Sequence, residues 1–148
     1  MAITSAEVAG KSLLLYDGVC GLCNHFVQFV LRRDTRDQFR FLALQDPLAD
    51  QILRRHGVDA SSLNSVCVVS SPLSGNENVV VRSDAVVAIL MEMDGLSRFL
   101  AGVLRVVPRP LRDIGYRLVA RVRYRIFGQL DVCPLPSADQ RRVFLSSQ

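Results

Sequence analysis

Two cysteines three residues apart, Cys20 and Cys23, stand where a strand-like run, Leu13-Leu14-Leu15-Tyr16, gives way to a helix-like run from Asn24 to Arg33. Dithiol redox chemistry asks for that placement. On a first helical turn the two side chains share a face, so their sulfurs can close a small disulfide ring. The first sulfur also meets the unpaired amide N–H groups of the helix start, which favour a thiolate over a thiol. A cysteine in water titrates near ~8.5, and helix N-termini in Cys-x-x-Cys motifs bring that down to roughly 3.5–7.5. Cys20 is accordingly the candidate nucleophile and Cys23 the resolving thiol.

Other readings of the motif fit less well. A structural zinc site takes four ligands, commonly as two close pairs, whereas Cys67 and Cys133 stand alone and far apart. Haem attachment needs a histidine directly after the second cysteine, and Asn24 intervenes before His25. Two core cysteines that merely fall three apart are the plainer alternative, since cysteine is among the most buried residue types. No metal and no bound cofactor are expected.

Asp17, three residues before Cys20, has two candidate roles. It can cap the coming helix by accepting its N–H bonds, or exchange a proton with a thiol, more plausibly Cys23, because a negative charge beside Cys20 opposes thiolate formation. Gly18 suits the tight strand-to-helix turn, and Gly21 leaves room for a partner sulfur. His25 reads as a helix-surface residue and His56 as a complement to a helix C-terminus. Cys67, mid-strand among valines, reads as a core residue, and Cys133 as a loop cysteine or a third thiol folded back on the motif.

The elements that must position this motif alternate. Ser12 to Tyr16 reads as a buried strand, Asp17-Gly18-Val19 as a turn and Cys20 to Arg33 as a helix with apolar residues at helical spacing. Phe39 to Leu44 makes a second strand. Asp46-Pro47 then starts a helix, with Asp as N-cap and Pro at the first helical position, and that helix stops at Gly57. Ser65 to Val69 and Val79 to Arg82 read as a hairpin around turn-forming residues. Ser83-Asp84 is expected to cap a helix from Ala85 to Met93. The order β-α-β-α-β-β-α is that of a thioredoxin-like α/β sheet. Residues 1–11 read as a flexible lead-in, and residues 96–148 as a helical C-terminal extension packed on the same single domain of 1–148.

That extension is unusual in charge. Its longer helix, Leu111 to Phe127, carries an apolar stripe of Leu111, Ile114, Leu118, Val119, Val122 and Ile126 flanked by Arg112, Arg117, Arg121 and Arg123. Burial of the stripe against the sheet domain is the favoured expectation, with arginine stems along its edge. Peripheral contact with a membrane surface is the second reading, because basic flanks around an apolar face suit anionic headgroups.

At 148 residues and 49% hydrophobic, the chain is long enough to bury a core without disulfides. No apolar run reaches the ~18–20 residues of a spanning helix. Met1 to Glu7 lacks the basic-then-apolar pattern of an export signal, so the expected location is cytoplasmic. In that reducing compartment a Cys-x-x-Cys is more often catalytic or metal-binding than structural. The net charge of +4 resides mostly in arginines, but no nucleic-acid reading motif accompanies them, and no nucleic-acid partner is expected.

Tyr16-Asp17-Gly18-Val19-Cys20-Gly21-Leu22-Cys23-Asn24 resembles the signature of the DCC family of predicted thiol-disulfide oxidoreductases. A late Phe127-Gly128 and Cys133-Pro134-Leu135-Pro136, after an arginine-rich stretch, extend the likeness over most of the chain. The resemblance implies a thioredoxin-like fold and dithiol chemistry carried by Asp17, Cys20 and Cys23. It implies as partners a disulfide or dithiol substrate and a cellular reductant. Ordinary thioredoxins have a tryptophan before the first cysteine, a proline before the second, and a cis-proline ahead of the third strand. Here Val19, Leu22 and Leu63-Asn64-Ser65 stand in those places, which leaves a small-molecule disulfide as a substrate class beside an extended protein. The competing function is a non-catalytic thioredoxin-like module that uses its arginine-rich helix to hold a membrane surface or an acidic partner.

Overall fold

Strand β1, Ser12–Tyr16, is buried at every position in the computed structural model, which describes residues 8–18, 20–59, 66–72, 75–93, 95–127 and 143–145. A strand covered on both faces needs a continuous apolar run, and Leu13-Leu14-Leu15-Tyr16 supplies it. Beside β1 lie β2 (Phe39–Ala43), parallel, and β3 (Cys67–Ser70), antiparallel, with β4 (Asn78–Val81) antiparallel to β3. The sheet order is therefore β2-β1-β3-β4. The fold is mixed α/β with a thioredoxin-like sheet.

Side chains alternate across this sheet and divide the core in two. Leu14, Tyr16, Phe39, Phe41 and Val68 face α1 (Gly21–Arg33) and α3 (Arg82–Glu92), meeting Val27, Val30, Ala85 and Ile89. On the other face Leu13, Leu15, Leu42, Cys67 and Val69 meet Ala49, Ile52 and Leu53 of α2 (Pro47–Arg55). Helix α2 begins as its sequence requires: Asp46 is the N-cap, its Oδ1 accepting from the Leu48 N–H at 2.9 Å, and Pro47 follows. It ends at His56 and Gly57, the latter at φ 71°, a conformation open to glycine.

Helix α3 departs from expectation. It starts at Arg82 after Val81, with no side-chain cap. Ser83 and Asp84, expected as caps, turn instead to α5 (Arg109–Phe127): Ser83 Oγ donates to Asp113 Oδ1, and Asp84 meets Arg109 at 2.9 Å and Arg112 at 3.2 Å. Between them α4 (Leu96–Val106) packs along α3, while α5 packs on α1 and α3.

The burial expected for the α5 stripe is overturned. Leu111, Ile114, Leu118 and Ile126 are about three-fifths exposed, at 59–66%. Arg112, Asp113 and Tyr116 take the inward side, because their polar groups have partners on α3 and ahead of β3, and this rotates the stripe outward. The ends of the chain also differ from the sequence reading. Val8 is 1% exposed, so the core reaches back before Ser12. Residues 143–145 are extended rather than helical, running parallel to the β2 edge through Phe41 N–H to Val143 O at 2.8 Å and Leu145 N–H to Phe41 O at 2.7 Å.

At the other end of β1, Ser12 Oγ lies 3.0 Å from both carboxylate oxygens of Glu92. Burial holds the Glu92 carboxyl above its ordinary 4.5, the Ser12 hydrogen bond pulls the other way, and Asp34 adds to the rise. The folded chain thus binds this proton more tightly than the unfolded chain. The stability it contributes is full below about 4.5 and is lost as pH rises through the elevated value. Glu92→Gln keeps an oxygen for Ser12 and removes the charge. It is expected to melt above the wild type at pH 7, with the gap closing as pH falls towards 4.5, and a gap that widens in acid would reverse the assignment.

Candidate active site

Because β1 and β2 run parallel, with Tyr16 opposite Ala43, the segments leaving their C-terminal ends come together. One carries Asp17, Gly18 and Cys20, and the other carries Gln45. Gln45 clasps the first: its Nε2 donates to Asp17 Oδ1 at 2.9 Å, and its Oε1 accepts from the Gly18 N–H at 3.1 Å. From α1, Asn24 Nδ2 donates to the carbonyls of Gly18 and Cys20, both at 2.9 Å. Two carboxamides thus fix the turn that delivers the first cysteine.

Cys20 is the N-cap of α1, with extended backbone (φ −90°, ψ 122°), and its Sγ accepts the Cys23 N–H at 3.4 Å. A sulfur occupies the position in which serine or aspartate oxygens usually meet these amides. Asp17 is therefore not the α1 cap that one reading of the sequence offered; its buried carboxylate is turned to Gln45. Cys20 is 0% and Cys23 5% exposed.

Cys23 also forms part of the wall of an apolar cleft of about 330 Å³ between α1, α3 and α5. Phe26, Val86, Leu104, Tyr116 and Val119 line it as well. Tyr116 Oη accepts the Val66 N–H at 3.1 Å and so ties α5 to the approach to β3. The pair can thus close a disulfide inside the first turn of α1, with an apolar space beside the second sulfur.

Cys67 belongs to the opposite face of the sheet from Cys20 and Cys23. Burial pushes its thiol up to about 12, so it stays protonated and inert at neutral pH. His25 is exposed on α1, and His56, at the C-cap of α2, places Nε2 2.8 Å from Glu77 Oε1. Cys133 and Leu63-Asn64-Ser65 lie outside the described residues. Among the described residues no three His, Cys, Asp or Glu side chains gather as a metal-ligand set.

Gln45 and Asn24 are the functional candidates that the sequence reading passed over. Asn24 directly follows Cys23, which is the only signal the sequence offers for it. Gln45 had a usable signal: it follows the strand expected to pair with β1, and ligand-facing loops of parallel strands meet at their carboxyl ends.

Comparison with known proteins shows the family of the chain. Residues 14–129 match the family model described as DCC1-like thiol-disulfide oxidoreductase. The chain is 31% identical over 143 residues to YuxK of Bacillus subtilis (strain 168), described as an uncharacterized protein, covering 97% of this chain and 99% of that one. It is 36% identical over 125 residues to an Arabidopsis thaliana DCC family protein described as chloroplastic, covering 84% of this chain and 70% of the other. No solved structure gives a significant match.

Proposed function

The chain belongs to the DCC1-like thiol-disulfide oxidoreductase family, and on that premise we propose that Cys20 and Cys23 carry out its thiol-disulfide exchange. Cys20 thiolate attacks one sulfur of a substrate disulfide and expels the other as a thiolate, leaving a mixed disulfide on Cys20. Cys23 loses its proton and attacks Cys20 Sγ, which releases the second substrate thiol and closes the Cys20–Cys23 disulfide. An external dithiol then returns the pair to its reduced form and is itself oxidised. Asp17 takes the Cys23 proton in the second step. The observation that carries this reading is the Cys23 amide donated to Cys20 Sγ at the start of α1, the bond by which a helix terminus holds a reacting sulfur.

Alkylation at neutral pH, read by mass spectrometry, tests the roles together. Cys20 is expected to be modified first, Cys23 more slowly, and Cys67 last, given its elevated pKa of about 12 and its place on the other face of the sheet from α1. A faster Cys23 would exchange the two roles. Failure of the pair to form a reversible disulfide in a glutathione redox titration would remove the reaction itself.

Asp17→Asn separates chemistry from architecture. Asparagine can still accept the Gln45 hydrogen bond but is no base, so exchange is expected to slow by roughly a hundredfold while melting stays nearly unchanged. Equal exchange rates would leave Asp17 with only its contact to Gln45.

A further inference from the structure

Among the described residues ten large apolar side chains are exposed, and those ten lie on α4 and α5. On α4, Leu96, Phe99, Leu100, Val103 and Val106 recur at helical spacing and make one outward stripe, while Ser97 and Ala101 are the buried residues. On α5 the outward stripe is Leu111, Ile114, Leu118 and Ile126, with Val119 at its edge. Amphipathic helices of a water-soluble domain ordinarily turn such stripes inward, and contiguous exposed apolar surface marks an interaction site. Val119 also lines the cleft beside Cys23, so the α5 surface continues into the wall of the candidate active site.

The charge beside these stripes specifies the partner. Arg117, Arg121 and Arg125, four residues apart, form an exposed row along one flank of the α5 stripe, and exposed Arg98 and Arg105 form a row on α4. None of the five has an acidic partner among the described residues. Asp113 is the single acid between residues 96 and 127, and it is engaged by Ser83 and Arg109. A second copy of this face would therefore set arginines against arginines with no carboxylate to meet them. A surface that is apolar below and anionic above satisfies both features, since arginine heads reach phosphates while the stripes enter the acyl boundary. No helix of the described residues is long and apolar enough to cross a membrane, so the contact is one of lying on it.

We propose that the outward faces of α4 and α5 dock this protein on the surface of an anionic phospholipid bilayer. This docking goes beyond the dithiol reaction and does not depend on it. The test is co-sedimentation of the full chain with vesicles of equal parts phosphatidylcholine and phosphatidylglycerol. The protein is expected to pellet with them at low salt, to remain in solution with phosphatidylcholine alone, and to lose at least about tenfold in partition as salt rises to ~0.5 M. The triple change Arg117→Gln, Arg121→Gln and Arg125→Gln is expected to weaken binding about a hundredfold. The pair Phe99→Ser and Leu118→Ser is expected to weaken it as well, with melting preserved in both variants because these side chains are exposed. Absence of binding to the anionic vesicles, equal binding to neutral ones, or binding that neither variant weakens overturns the proposal. So does a dimer in sedimentation that the serine pair dissolves while vesicles recruit nothing, which would assign the face to a second copy.

Discussion

Cys20→Ser is expected to reduce disulfide exchange to the rate of buffer alone, whereas Cys23→Ser is expected to stop after the first step. The two variants differ because the two sulfurs do different things. Serine at position 20 removes the nucleophile, so no substrate becomes attached. Serine at position 23 leaves Cys20 and its place at the head of α1 but takes away the thiol that releases the substrate, and a mixed disulfide on Cys20 accumulates. Mass spectrometry of the Cys23→Ser protein after exposure to a disulfide reads that adduct directly, and reductant should release it. Retained turnover in Cys20→Ser, or an adduct in Cys20→Ser and none in Cys23→Ser, would contradict the assignment. Both substitutions nearly conserve volume, so melting serves as the control for folding.

The parts of this structure that were legible in the sequence are those decided within a few residues. The unbroken Leu13-Leu14-Leu15 run reports a strand buried on both faces, and Asp46 with Pro47 and Gly57 brackets α2 by backbone chemistry alone. The Cys20–Cys23 spacing at a strand-to-helix junction is local in the same sense. What the sequence hid was decided by distant partners. Ser83 and Asp84 look like caps until α5 brings Asp113, Arg109 and Arg112 to them. Periodicity showed that α5 has an apolar stripe but not which way it points. The direction is set by polar anchors, Asp113 to Ser83 and Tyr116 to Val66, which outcompete burial of the stripe. Within the site the same division holds: the cysteines announce themselves, while the Gln45 clasp on Asp17 exists only because two parallel strands end side by side.

The largest loss of stability is expected at Phe41. Its side chain is fully buried between the sheet and α1, its backbone makes both hydrogen bonds to residues 143 and 145, and its ring stacks on Phe144 with centroids 5.1 Å apart. Phe41→Ala leaves a ring-sized cavity and should cost about 3–5 kcal/mol, which in a domain of this size lowers the melting point by roughly ten degrees or more. Phe144 is only partly buried, so Phe144→Ala should cost less, about 1–3 kcal/mol. The two losses should not add. Each variant removes the same stacked pair, and the double variant should fall short of the sum by at least about 0.5 kcal/mol. The consequence reaches the site, because Phe144 also meets Tyr16 edge-on at 6.3 Å, and Tyr16 is the last residue of β1 before Asp17. Phe144→Ala should therefore loosen the turn that carries Cys20, read as faster amide hydrogen exchange at Gly18 and Cys20 as well as lower melting. A neutral Phe144→Ala, with additive losses in the double variant, would mean that residues 143–145 contribute nothing to the β2 edge, and that Gln45 and Asn24 hold the turn without help from Phe144.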